Sequence, residues 1–145
     1  GYCTELIKAW NGPTIIKGIL SEKDLEKAIE VGFDGVYVSN HGGRQLDGSR
    51  SPFDQVKELS DAVGDQLEII LDGGIRRGTH VLKALAAGAT ACSFGKMFLF
   101  SLGAGGQPGV ERLLQNMHDE INRNMVLMGC KNIKELNRTK LIYRK

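Results

Sequence analysis

The stretch Val36-Tyr37-Val38-Ser39-Asn40-His41-Gly42-Gly43-Arg44-Gln45 decides how the rest of the chain reads: an apolar run turns abruptly into a glycine-rich loop carrying an imidazole and a guanidinium. Val36 to Val38, β-branched and aromatic without polar alternation, has the pattern of a buried strand, and the paired glycines supply a tight turn after it. His41 can exchange a proton near neutral pH, and Arg44 offers a planar fork of donors that suits a carboxylate. Two readings are open: a site converging on one small anion, or a polar loop in which His41 only satisfies backbone groups.

Outward from that stretch the same unit recurs. Upstream, Thr14 to Gly18 is a short apolar strand ending in a lysine; Ser21 with Asp24 then forms a helix cap, Leu25, Ala28 and Ile29 make a buried face, and Gly32 ends the helix. Gly35 to Ser39 is the next strand, followed by the loop above and a helix from Pro52 to Val63. Leu67 to Leu71 forms a third strand running into Asp72-Gly73-Gly74, and Thr79 to Ala87 a helix closed by Gly88. Ala91 to Phe94 is the fourth strand, breaking at Gly95-Lys96.

At the N-terminal side, Gly1 to Trp10 reads as the last turns of a helix with Leu6, Ile7 and Trp10 facing inward. At the other end, Gly103 to Gly109 reads as a linker or loop. Beyond it Val110, Leu113, Leu114, Met117, Ile121 and Met125 mark one face of a long amphipathic helix. Met117, Met125 and Met128 read as core filler. Asn132 with Glu135 resembles the cap of a last short helix, Ile133 to Asn137.

With 145 residues, 41% hydrophobic content and a net charge of +2, the chain is one mixed-charge globular domain over residues 1–145, with no composition that argues for nucleic acid or a membrane surface. Arg138 to Lys145 reads as a solvated basic tail. No apolar run approaches the ~18 residues of a transmembrane segment, and no signal-peptide succession opens the sequence, so it reads as cytoplasmic. Cys3, Cys92 and Cys130 lack metal or disulfide spacing and read as reduced, mostly buried residues.

Four strand–helix units, to about residue 102, each with polar or glycine-rich residues just past the strand, predict an α/β fold of (β/α)8 TIM-barrel type with its site at the strand C-terminal ends. C-terminal helices over 107–138 and the tail 139–145 follow. Such a barrel takes eight units and about 250 residues, so the chain supplies half. Four parallel strands cannot close, and their outer edges would be unpaired. The expectation is a fragment that needs a partner half.

Ser39-Asn40-His41-Gly42-Gly43-Arg44-Gln45 resembles the active-site signature of the flavin mononucleotide (FMN) dependent 2-hydroxy-acid dehydrogenases and oxidases, the family of cytochrome-type lactate dehydrogenases, lactate oxidase, mandelate dehydrogenase and glycolate oxidase. Pro13 to Gly18 and Leu71 to Gly78 resemble further signatures of that family in the right order, and the likeness runs to about Arg138. The matching part is the C-terminal half, strands five to eight. The resemblance implies oxidation of a small L-2-hydroxy acid, L-lactate first, with FMN as cofactor, in a homo-oligomer that is a tetramer in relatives.

By the same resemblance His41 is the catalytic base and Arg44 binds the substrate carboxylate, while Lys17 places a cation by the flavin. Ser39 touches the flavin; Asp72, Gly73, Gly74, Ile75 and Arg76, with Gly95 and Lys96, hold its phosphate end. Lys96 departs from relatives that carry arginine there, keeping the charge and losing the fork. Arg77 either lies near the substrate carboxylate or forms a surface ion pair. His80 and His118 read as solvated, and Asp47 as a loop residue. The family's carboxylate that orients the base, and a tyrosine of the site, belong to the absent half, so the isolated chain is expected to bind flavin poorly and turn over no hydroxy acid. The alternatives are a non-catalytic half-barrel that binds a phosphorylated ligand or assembles with itself or a partner half, or a flavin barrel of the inosinate dehydrogenase or isopentenyl isomerase kind.

Overall fold

A computed structural model describes residues 1–143; Arg144 and Lys145 of the expected basic tail lie outside the described residues. Helix α1 (Tyr2–Trp10) leads into β1 (Ile15–Ile19), α2 (Glu22–Val31), β2 (Gly35–Ser39), α3 (Pro52–Val63), β3 (Glu68–Asp72), α4 (Gly78–Ala87), β4 (Ala91–Ser93) and α5 (Lys96–Leu127). The strands form one parallel sheet in the order β1-β2-β3-β4. This succession of βα units is the α/β arrangement expected of consecutive barrel strands.

Local chemistry sets the ends of these elements. The Ser21 hydroxyl accepts the Asp24 amide at 3.2 Å, capping α2, and Gly32 ends that helix at φ 95°, where a side chain would be strained. Pro52 opens α3, its missing N–H costing nothing in the first turn. The core lies between sheet and helices. Val36, Val38 and Leu71 are fully buried, packed with Leu25, Val56, Leu59 and Val63. A second cluster joins Leu82 and Ala86 of α4 to Met125, Cys130 and Leu136.

The structure departs from the sequence reading in several places. β1 does not stop at Lys17: it runs to Ile19 across a bulge, Lys17 pairing with Tyr37 and Ile19 with Val38, so Gly18 is the extra residue. The stripe on α1 is not inward. Leu6 is 49% and Trp10 66% exposed, because no layer of the described residues covers that face. Residues 103–109 are not an open linker but a break within α5. Gly105 (φ −153°) and Gly106 (φ 59°) interrupt the helix, and Pro108 falls in the first turn of the resumed segment. Leu114 lies outside the buried face.

The last short helix is instead a 3-10 turn, Ile133–Glu135, followed by a second, Arg138–Lys140. The Asn132–Glu135 pairing holds, with Asn132 Nδ2 donating to Glu135 Oε1 at 3.0 Å. Arg138 is no solvated tail residue. Its guanidinium pairs with Asp61 and donates to Ser60 Oγ at 2.6 Å and the Ala87 carbonyl at 3.3 Å, pinning the chain end to α3 and α4. Of the three cysteines, all free, only Cys130 is buried; Cys92 is half-buried and Cys3 exposed.

Candidate active site

Beyond the C-terminal ends of the strands lies one cavity of about 530 Å³. Its wall includes Lys17 from β1, His41 and Arg44 from the loop after β2, Asp72 to Arg76 after β3, and Gly95 and Lys96 after β4. Every residue singled out in the sequence for catalysis, substrate or cofactor lines this one space except Ser39, which sits directly beneath it, 1% exposed. His41 and Arg44 share a cavity with both glycine turns.

The floor of the cavity is a charge network. Lys17 Nζ lies 2.7 Å from Asp72 Oδ2, and the Ser39 hydroxyl donates to the same oxygen at 2.6 Å while accepting from Lys17 Nζ at 2.9 Å. The His41 amide donates to Ser39 Oγ at 3.1 Å, tying the loop to the floor. Burial alone would push the Asp72 carboxyl up; the hydrogen bonds from Lys17 and Ser39, the Lys17 charge and Ser93 outweigh it and hold the group below its ordinary value. Asp72 is thus an anion whose first service is to Lys17, a role the sequence did not disclose because the partners come from three separate strands.

The loop after β2 is built for an unusual backbone. His41, Gly42 and Gly43 all have positive φ (56°, 70° and 73°), with Asn40 Oδ1 accepting the Gly42 amide at 3.1 Å. Histidine is among the few side chains that visit this region. Lys96 Nζ donates to the Gly42 carbonyl at 3.4 Å, linking the loops after β2 and β4.

The rim after β3 and β4 suits an anion's terminal charge. Gly73 and Gly74 have φ of 125° and 75°; a Cβ on Gly73 would approach Pro52 Cγ to 3.2 Å, whereas Gly74 and Gly95 face open space. Gly95 directly precedes α5, whose first turn presents unpaired N–H groups. Arg76 and Lys96 flank it. Four cationic side chains against one carboxylate give the cavity a net positive lining.

Arg77 takes the second of its two expected places. It turns away from the cavity and donates through Nε to Glu120 Oε1 at 2.7 Å, a contact that Nη2 also makes. Glu120 Oε2 accepts the Gly78 amide at 2.8 Å. The Arg77 hydrogen bond, opposed by desolvation and aided by the Gly78 amide, lowers the Glu120 carboxyl. Glu120 went unnoticed in the sequence. Its signal was an acid at helical spacing from Leu113 and Met117, on the face that packs inward. His80 is only partly solvated. Half-buried, its Nδ1 lies 3.2 Å from the Arg76 amide and 3.1 Å from the Gly74 carbonyl, under the turn after β3. His118 is exposed on α5, and Asp47 is a loop residue accepting the Gly48 amide.

Comparison with known proteins gives this geometry its context. Residues 2–143 match the model of a family described as FMN-dependent dehydrogenase. An L-lactate dehydrogenase of Vibrio cholerae serotype O1 is 46% identical over 135 residues, covering 93% of this chain and 36% of that protein. An L-lactate dehydrogenase of Caulobacter vibrioides is 43% identical, covering 94% and 36%. Among solved structures, a flavocytochrome b2 variant with sulfite bound superposes with a TM-score of 0.90 at 42% identity, covering 94% of this chain and 36% of that one. Mandelate oxidase with benzoyl-formic acid does so with 0.88 at 40% identity, covering 93% and 41%. The chain therefore spans about a third of the length of the curated relatives it matches.

Proposed function

The chain belongs to the FMN-dependent dehydrogenase family, and from that premise we propose that the whole protein oxidises a small L-2-hydroxy acid, L-lactate first among them, to the 2-oxo acid. The observation that carries this reading is the convergence of His41 and Arg44 on one cavity with the turns bearing Arg76 and Lys96. When bound, FMN supplies the acceptor for the two electrons that leave the substrate carbon.

The residues divide the work as follows. Arg44 pairs with the substrate carboxylate in a bidentate fork and so fixes which carbon faces the cofactor. His41 takes a proton from the substrate as the carbon is oxidised. Lys17, steadied by Asp72 and Ser39, places positive charge where the cofactor ring gains electron density. Gly73, Gly74, Ile75 and Gly95 allow close approach of backbone to the phosphate end, and Arg76 and Lys96 neutralise it. Among the described residues no helix is long and apolar enough to cross a membrane. We place the protein in the cytoplasm as a homo-oligomer, its barrel completed by residues that this chain does not contain.

The test uses the full-length protein that carries this sequence. Purified protein should show flavin absorbance at one FMN per chain and should bleach on anaerobic addition of L-lactate. Flavin binding with no bleaching by any 2-hydroxy acid would leave only a phosphate-ligand-binding module.

A further inference from the structure

We infer that Gly18 is a positioning residue: by lacking a side chain at the bulge of β1 it provides the seat on which the His41 imidazole rests, and the same bulge turns Lys17 into the cavity. A Cβ placed on Gly18 would stand 2.9 Å from His41 Nε2, closer than real Cβ contacts come, and 3.4 Å from Cε1. The ring therefore lies against bare backbone of β1, with its Nε2 edge nearest the strand. Its own main chain is already fixed, at φ 56° with the amide held by Ser39. Gly18 confines the side chain where those contacts confine the backbone.

The bulge supplies the second half of the device. In an unbroken strand residues two apart share a face, which would send Lys17 and Ile19 the same way. Gly18, at φ 105°, inserts one residue, so Lys17 and Ile19 occupy successive pairing positions opposite Tyr37 and Val38. Ile19 is then buried in the core at 6% exposure while Lys17 reaches the cavity and Asp72. One glycine thus sets both the proton-handling group and the cation of the cofactor side.

The inference rests on the reading of His41 as the base, and its test separates the two. In the full-length FMN-loaded protein, Gly18→Ala is compared with Gly32→Ala. Gly32 has the same left-handed backbone (φ 95°) but nothing within 4 Å of its Cβ position, so it reports backbone strain alone. Gly18→Ala should lower kcat for L-lactate by about tenfold or more, with KM within about twofold, the split expected of a displaced catalytic group. Gly32→Ala should lower thermal stability to a similar degree and leave kcat in place. Independently of activity, wild-type protein labelled selectively at histidine and glycine should give a nuclear Overhauser contact between the His41 ring and Gly18 Hα, the histidine signal being assigned with His41→Gln. Absence of that contact, or a kcat for Gly18→Ala no lower than for Gly32→Ala, would overturn the inference. If the wild type oxidises no 2-hydroxy acid, the proposed function fails and the ring contact alone decides the seat; the contact also decides it if Gly18→Ala does not fold.

Discussion

Replacing Ser39 with alanine removes one oxygen from the floor of the cavity, and the consequence can be worked out group by group. That oxygen serves three partners: it donates to Asp72 at 2.6 Å and accepts from Lys17 at 2.9 Å and from the His41 amide at 3.1 Å. Ser39 is 1% exposed, so water does not readily take its place. An ordinary hydrogen bond contributes ~1 kcal/mol net and one to a charged group ~1.5–3 kcal/mol. The direct Lys17–Asp72 contact at 2.7 Å survives the change, and the Lys17 side chain, 45% exposed, can turn to water. Both points discount the charged contributions heavily.

The expected net loss is about 2 kcal/mol, roughly thirtyfold in the folding equilibrium. It should appear as a lower urea midpoint with an unchanged slope in the full-length protein. A double-mutant cycle with Asp72→Asn should show a coupling of at least ~0.5 kcal/mol, since the two side chains share one network. A Ser39→Ala protein within ~0.5 kcal/mol of wild type, or strict additivity with Asp72→Asn, would refute the reasoning.

The same carboxylate makes stability depend on pH. Asp72 is lowered in the folded state, so its contribution is fully present above the ordinary carboxylate range and is lost as pH falls through the folded value. Below about pH 4 the wild-type midpoint should fall more steeply than that of Asp72→Asn. Burial pushes the Cys92 thiol up to about 11, so at pH 8 a maleimide should label exposed Cys3 fast and Cys92 slowly, as read by mass spectrometry. A Cβ on Gly78 would stand 2.7 Å from the Met117 carbonyl oxygen and 2.9 Å from the Ile121 amide. Gly78→Ala should therefore cost ~1–3 kcal/mol in denaturant melts, whereas Gly103→Ala, facing open space, should be neutral or stabilising. Arg44→Lys should raise KM for the hydroxy acid about tenfold or more through loss of the fork, while FMN affinity is retained.

The sequence disclosed the site better than it disclosed the packing around it. The ends of β2, β3 and β4 are legible because apolar runs give way there to polar and glycine-rich turns, so His41, Asp72 and Lys96 could be assigned to one rim before any coordinates; Lys17 reaches that rim although β1 continues past it. What spacing cannot express is pairing between distant elements. Arg77 meets Glu120 across 43 residues, and no local pattern prefers that acid to its neighbours. His80 looks like any polar residue in a first helical turn until its Nδ1 is seen beneath the Gly74 carbonyl. The stripe on α1 shows the complementary failure, since periodicity states which face is apolar and not what covers it. Likewise the glycines of 103–109 announced a break without saying that the helix resumes at once. The bulge at Gly18 is visible only in the pairing of β1 with β2.

The Lys17–Asp72 contact joins the first strand to the third. On a ribosome Lys17 and Ser39 emerge long before the carboxylate they share, and β1 with β2 can pair while that acceptor is still unmade. Docking of β3 is the event that neutralises Lys17 and gives the Ser39 hydroxyl its acceptor. A nascent chain halted short of Asp72 carries an uncompensated ammonium at the mouth of its sheet, and release of that charge into an ion pair marks the moment at which the floor of the cavity is complete.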